Sequence, residues 1–132
     1  MTKTEIINDT VRYYRSNPRG YSKELNGCIY QKDGMSCAIG RFFNSKATDE
    51  IRGFDGSAED LEYHLEVKYK FPNLDSILKV IVHGHSLEFW TDLQILHDTA
   101  SYWEPCVTKG GLKLSTEGVK HRDEMLVKYK GE

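Results

Sequence analysis

Apolar positions recur along the chain in short segments separated by polar, glycine- or proline-bearing stretches, and each segment predicts an element. Thr2 and Glu5 stand at capping-box spacing, and Ile7, Val11 and Tyr14 then repeat at helical intervals until Asn17-Pro18. A first helix follows from that pattern. Residues 19–27 hold two glycines, a serine and an asparagine without a clear period and read as a loop. Cys28-Ile-Tyr-Gln-Lys32 and Met35-Ser-Cys-Ala-Ile-Gly40 then flank Asp33-Gly34, a dipeptide that tolerates positive φ, and predict a β-hairpin over residues 28–40. A two-residue turn sets Lys32 opposite Met35, Tyr30 opposite Cys37 and Cys28 opposite Ile39. Both cysteines, Tyr30 and Ile39 then share one sheet face, expected to be the buried one. The two cysteines would be diagonal, about 7–8 Å apart at Cα, which is at or beyond disulfide reach and predicts free thiols.

Ser57 and Asp60 give a second capping signal, with Leu61, Leu65 and Lys68 marking one face of a helix over 58–69 before Phe71-Pro72. The run Ile77–Val82 fits a strand or a short helix from Asp75; the reading leans to helix. Ser86 opens the strongest amphipathic pattern, Phe89, Trp90, Leu93, Leu96, His97 and Ala100, ending near Trp103-Glu104-Pro105. After a link at Gly110-Gly111, Ser115 caps a last helix whose inward side is read as Val119, Arg122, Met125, Leu126 and Tyr129. The whole is one α+β domain over residues 1–132, helix-dominated with four to five helices and one hairpin.

Composition sharpens this picture in three ways. At 132 residues with 39% hydrophobic and 29% charged positions, the chain is sized for one core and too apolar to stay disordered. No stretch approaches 18 uninterrupted apolar residues and the first nine residues lack a secretory pattern, so a cytoplasmic, membrane-free location is expected. Three cysteines cannot all pair, which argues for a reducing compartment. Charge is uneven: residues 47–108 carry twelve acidic against four basic side chains, whereas both flanking segments are mildly basic. An acidic middle argues against general nucleic-acid coating and permits a basic partner meeting Glu59, Asp60 and Glu62, although a solvated helix face is the plainer reading.

A set of residues gives a further lead: Cys28-x-Tyr30, a turn with Gly34, Cys37-Ala-Ile-Gly-Arg41, Leu93-Gln-x-x-His97-Asp98 and the aromatic Trp103. Over residues 5–129 the chain resembles a family of small uncharacterised bacteriophage and bacterial proteins with a Cys-x-Tyr…Cys-Ala-Ile-Gly hairpin and a Leu-Gln-x-x-His-Asp helix. Arg52-Gly53 or Asp55-Gly56 stands where such proteins often show Glu-Gly. The resemblance implies a phage or bacterial cytoplasm and a helix-rich fold around one hairpin, and brings no activity with it.

Chemistry-bearing residues support two function classes. Arg41, His97 and Asp98 beside the hairpin end, with Trp103 nearby, form a candidate site for an anion or nucleotide-like ligand, and Gly40 would let backbone approach it. His83-Gly-His85, His97-Asp98 and the cysteines contain zinc donors, but without the short steps of structural zinc sites, so no metal or other cofactor is expected. Cys37 with His97 as base, oriented by Asp98, has the residue types of a thiol enzyme; a buried, inert strand cysteine is the commoner case. The aromatics Phe89, Trp90, Tyr102 and Trp103 suit base stacking but fit a core stripe better, and the common nucleotide-binding and hydrolase motifs are absent. The favoured reading is a binding protein, a phage or mobile-element accessory factor that modulates a host process, such as a defence, by holding a host protein or a nucleotide-like ligand. The alternative is a small hydrolase or transferase, metal- or cysteine-dependent, using His83, His85, His97, Asp98 and Cys37. Homodimerisation is left open by the sequence.

Overall fold

The computed structural model describes residues 1–19, 21–22, 27–32, 34–106 and 111–132, with backbone alone for 21–22 and 27–28. The expected loop over 19–27, Asp33 of the turn, Gly110 of the link and the Cys28 side chain therefore lie wholly or partly outside the described residues.

The capping signals place the helices. Helix α1 (Lys3–Tyr13) begins with a complete capping box, Glu5 N–H donating to Thr2 Oγ1 at 3.1 Å and Thr2 N–H to Glu5 Oε1 at 2.9 Å. Ser57, Ser86 and Ser115 cap α3 (Ala58–His64), α4 (Leu87–Asp98) and α5 (Thr116–Lys128) by a single bond each, the hydroxyl accepting from the backbone N–H three residues on. A four-residue helix not foreseen from the sequence, α2 (Asp49–Arg52), is capped by Thr48. Helix α3 runs on into a π-helical turn over Leu65–Tyr69, which Lys70 stops in the left-handed region at φ 59°.

Three two-stranded antiparallel ribbons are found among the described residues: β1 (Tyr21–Ser22) with β2 (Gly27–Cys28), β3 (Gln31–Lys32) with β4 (Met35–Ser36), and β5 (Trp103–Pro105) with β6 (Leu112–Leu114). In the central hairpin Lys32 faces Met35 as expected, Gly34 takes φ 79°, and Cys37 N–H donates to Tyr30 O at 3.0 Å. The expected register fails one step further out. Cys28 pairs with Tyr21 instead, and Ile39 already leads into a 3-10 turn over Gly40–Phe42. Gly40 explains the divergence: a Cβ there would lie 1.8 Å from the Tyr30 carbonyl oxygen, so the chain turns in a space only glycine fits.

The segment left open between strand and helix is neither an α-helix nor a ladder strand. It forms two 3-10 turns, Leu74–Ile77 and Val80–Val82, around a bridge between Leu78 and Phe43. Asn44 N–H to Ile77 O at 2.8 Å and Lys79 N–H to Phe42 O at 2.9 Å fasten that bridge, and long-range pairing outweighs a helical run this short. On α5 the inward side holds Gly118, Met125 and Tyr129, whereas Val119, expected inward, faces solvent. A Cβ on Gly118 would fall 2.1 Å from Tyr102 O, so this turn of α5 sits almost against backbone.

One core joins these pieces. Ile6 and Ile7 from α1 and Tyr14 at its C-cap, Leu61 and Leu65 from α3 and its extension, and Phe89, Trp90, Leu93 and Leu96 from α4 are at most 1% exposed. Burying a side chain of this size stabilises by roughly 1.5–3 kcal/mol each. A file of rings continues outward from Phe43 through Tyr30 and Phe54 to His64, with centroids 5.9, 6.0 and 5.2 Å apart, and ties the hairpin to α3. Among the described residues no helix is long and apolar enough to cross a membrane.

Candidate functional site

Two regions carry the chain's remaining chemistry, one inside and one outside. The inner region gathers the residues singled out from the sequence. His97 and Gln94 lie one turn apart on the inward face of α4, at 0% and 4% exposure, and Cys37, at 0%, approaches from the hairpin end. Gly40 N–H donates to Cys37 Sγ at 3.2 Å. Burial pushes this thiol up to about 12, and a group that stays protonated at neutral pH is a poor nucleophile. His97 Nδ1 lies 2.6 Å from Asp98 Oδ1, its ring centroid 5.0 Å from that of Tyr14. Burial holds its pKa below the ordinary value of 6.5 despite that carboxylate, so the ring is neutral and Nδ1–H is the donor.

Arg41 and Trp103 lie close to this group but face other work. The Arg41 guanidinium donates from Nη1 to Asp9 Oδ2 at 2.7 Å and from Nη2 to Thr10 Oγ1 at 2.8 Å, lies 3.9 Å over the Phe42 ring, and leaves only 7% of its side chain exposed. It is a strut between the 3-10 turn and α1. Trp103 Nε1–H donates to Leu96 O at 2.9 Å, closing α4 onto β5. Asp98 alone of the four reaches solvent, at 42%. Arg19 Nη1 donates to His97 O at 2.7 Å. The structure thus brings Cys37, Gln94, His97 and Asp98 into one neighbourhood and fixes Arg41 and Trp103 on its margin by bonds to protein. Gly40, read as an approach for ligand, admits the Tyr30 carbonyl.

His83 and His85 do not converge. His83 Nε2 lies 2.7 Å from Leu78 O, and His85 Nε2 lies 2.8 Å from Met1 O. Among the described residues no group of three or more His, Cys, Asp or Glu is placed to hold a metal ion. A hollow of about 730 Å³ opens elsewhere, between the hairpin and α2, lined by Gln31, Lys32, Asp49 and Arg52. Arg52 there donates to Ala47 O at 2.9 Å and Asn44 O at 3.0 Å, and bonds Gln31.

The outer region is the solvent side of α3 and its π turn. Ala58, Leu61 and Leu65 point inward at 1% exposure or less, which forces the residues between them outward. Tyr63 is 69% and Val67 51% exposed, one turn apart, among the exposed Glu59, Asp60 and Glu66. Among the described residues no lysine, arginine or histidine pairs with those three carboxylates. Lys68, the nearest cation on the same turn, is held by Glu50 of α2, which also accepts from Tyr69 OH at 2.6 Å. The Lys68 and Tyr69 bonds hold the Glu50 carboxyl below its usual range. Glu62, grouped with Glu59 and Asp60 from the sequence, turns the other way, and its Oε2 accepts from Leu74 N–H at 3.3 Å. Tyr63 and Val67 escaped the sequence reading because their only signal is negative: they are apolar residues off the Leu61–Leu65 stripe.

Compared with protein-family models, with curated proteins and with solved structures, the chain finds no match in any of the three.

Proposed function

We propose that this chain is a non-catalytic binding protein that acts by holding a protein partner on the outer face of α3, as an accessory factor in the bacteriophage or bacterial setting that the sequence resemblance implies. The observation that carries the reading is the contrast in access. The residues with catalytic chemistry, Cys37 and His97, are 0% exposed and bonded to protein, whereas Tyr63 stands 69% exposed on a helix rigidly seated from behind. Tyrosine in such a setting offers a large, stiff contact surface with a polar tip, the side chain that most often anchors interfaces.

The nucleotide-like ligand is the weaker form of the binding reading, since the Arg41 fork that would grip a phosphate already grips Asp9 and Thr10. Native mass spectrometry of the protein taken from bacterial cells, set against its denatured mass, separates the readings. The expected spectrum shows the bare chain or the chain with a protein. A stoichiometric metal or small molecule, lost in Arg41→Ala or His97→Gln variants that remain folded, would overturn the proposal in favour of a ligand site in the interior.

A further inference from the structure

We infer that the α3 face takes a cationic amphipathic segment, lysine or arginine interleaved with apolar residues at helical spacing; this rests on the binding reading above and names its partner class. Sign of charge is what selects the occupant. Tyr63 and Val67 form an apolar pair, and Glu59, Asp60 and Glu66 surround it with carboxylates that no described cation neutralises. Lys68, which would otherwise offset them, is bound to Glu50 across the α2–α3 gap, so the pairing that seats α3 also leaves its face acidic. Lys70 lies past the end of the π turn, where the chain leaves in the left-handed conformation.

Among the described residues the other exposed apolar side chains are Val80, Ile81, Ile95, Val119 and Val127, and Ile95 stands one turn from Asp92, whose carboxylate Lys128 already pairs. Val119 and Val127 on α5 are flanked by Lys120 as well as Asp123 and Glu124, and Val80 and Ile81 follow Lys79. An acidic frame repels phosphate, which disfavours nucleic acid and anionic lipid at α3 and favours a basic protein segment. From Glu59 to Val67 the face runs about 12 Å, the length of two helical turns, so it suits a short segment bound weakly and reversibly.

The probe is a synthetic helical peptide of about 14 residues built from lysine and leucine, with its glutamate–leucine counterpart as control, each titrated into isotope-labelled protein and followed residue by residue by NMR. The lysine peptide is expected to shift signals across residues 59–67, with affinity falling about tenfold between low and physiological salt. Combined Glu59→Lys, Asp60→Lys and Glu66→Lys substitution should weaken it by at least a further factor of about ten, and Tyr63→Ala should do likewise. If Tyr63→Ala abolishes binding and the charge reversals change nothing, or the glutamate peptide binds equally well, the cationic partner is wrong and the binding face survives. Shifts confined to α5, or none at all, would overturn both.

Discussion

The interior group around His97 and the outer face of α3 hold comparable numbers of polar side chains, yet the fold treats them in opposite ways. Inside, the candidate residues make bonds to protein: Arg41 to Asp9 and Thr10, Trp103 to Leu96, the Cys37 thiol to Gly40, and His97 Nδ1 to Asp98, while His97 Nε2 and Gln94 Oε1 are buried without a partner among the described residues. Outside, three carboxylates and two apolar side chains are presented without protein partners among the described residues, on a helix braced by the Phe54–His64 stack and the Glu50–Lys68 pair. Residue type alone does not mark function; the direction in which the backbone aims it does. A Cys, a His and an Asp within one neighbourhood have the residue types of a thiol enzyme, but burial raises the thiol's pKa and keeps it protonated.

If the interior is scaffold, damage there should appear as lost stability. Gly40→Val is expected to have the largest effect, more than about 4 kcal/mol or failure to fold, because a side chain has nowhere to go against the Tyr30 carbonyl. Arg41→Ala should follow at about 2–4 kcal/mol in urea denaturation, since it removes a nearly buried strut together with its bonds to Asp9 and Thr10. A change below about 0.5 kcal/mol in either would return these positions to the list of functional residues.

Acidity probes the same contrast more gently. His97 and His85 both titrate below the ordinary 6.5 in the folded protein, chiefly through burial. The unfolded chain therefore takes up the proton first, and stability, full above about pH 6.5, declines as the pH falls below it. A single fully buried neutral histidine contributes a slope of about 1.4 kcal/mol per pH unit in that window. His97→Gln should flatten the fall in melting temperature between pH 7 and pH 5, roughly the window in which a histidine charges; an unchanged profile would mean that the ring is charged or solvated. The smallest effect belongs outside: Tyr63→Ala should alter stability by less than about 0.5 kcal/mol while removing binding.

Local hydrogen-bond signals made much of this fold legible. Thr2, Ser57, Ser86 and Ser115 each announced a helix, because a cap is read from a hydroxyl and the next three residues. Thr48 carries the same signal, with Asp49 and Glu50 in the first turn, and α2 was there to be found. Elements set by distant backbone were not legible. Strands of two or three residues are too short to show a period, the turns around Leu78 follow from pairing with Phe43, and Gly118 rather than Val119 faces inward because Tyr102 O comes so close. For the candidate site the sequence supplied the acidic middle segment and the candidates Arg41, His97, Asp98 and Trp103. It could not show that Arg41 would be claimed by α1, nor that Glu50 would take Lys68 and leave the α3 face uncompensated.

The most direct test is photo-cross-linking in bacterial cells, with a photoreactive phenylalanine analogue placed at position 63 in one variant and at position 127 on α5 in another. The account predicts a discrete adduct with a protein partner from position 63 that persists when Cys37→Ala is added, and none of comparable yield from position 127. A partner captured from α5 but not from α3, or an adduct at position 63 that vanishes in a folded Cys37→Ala protein, would contradict it.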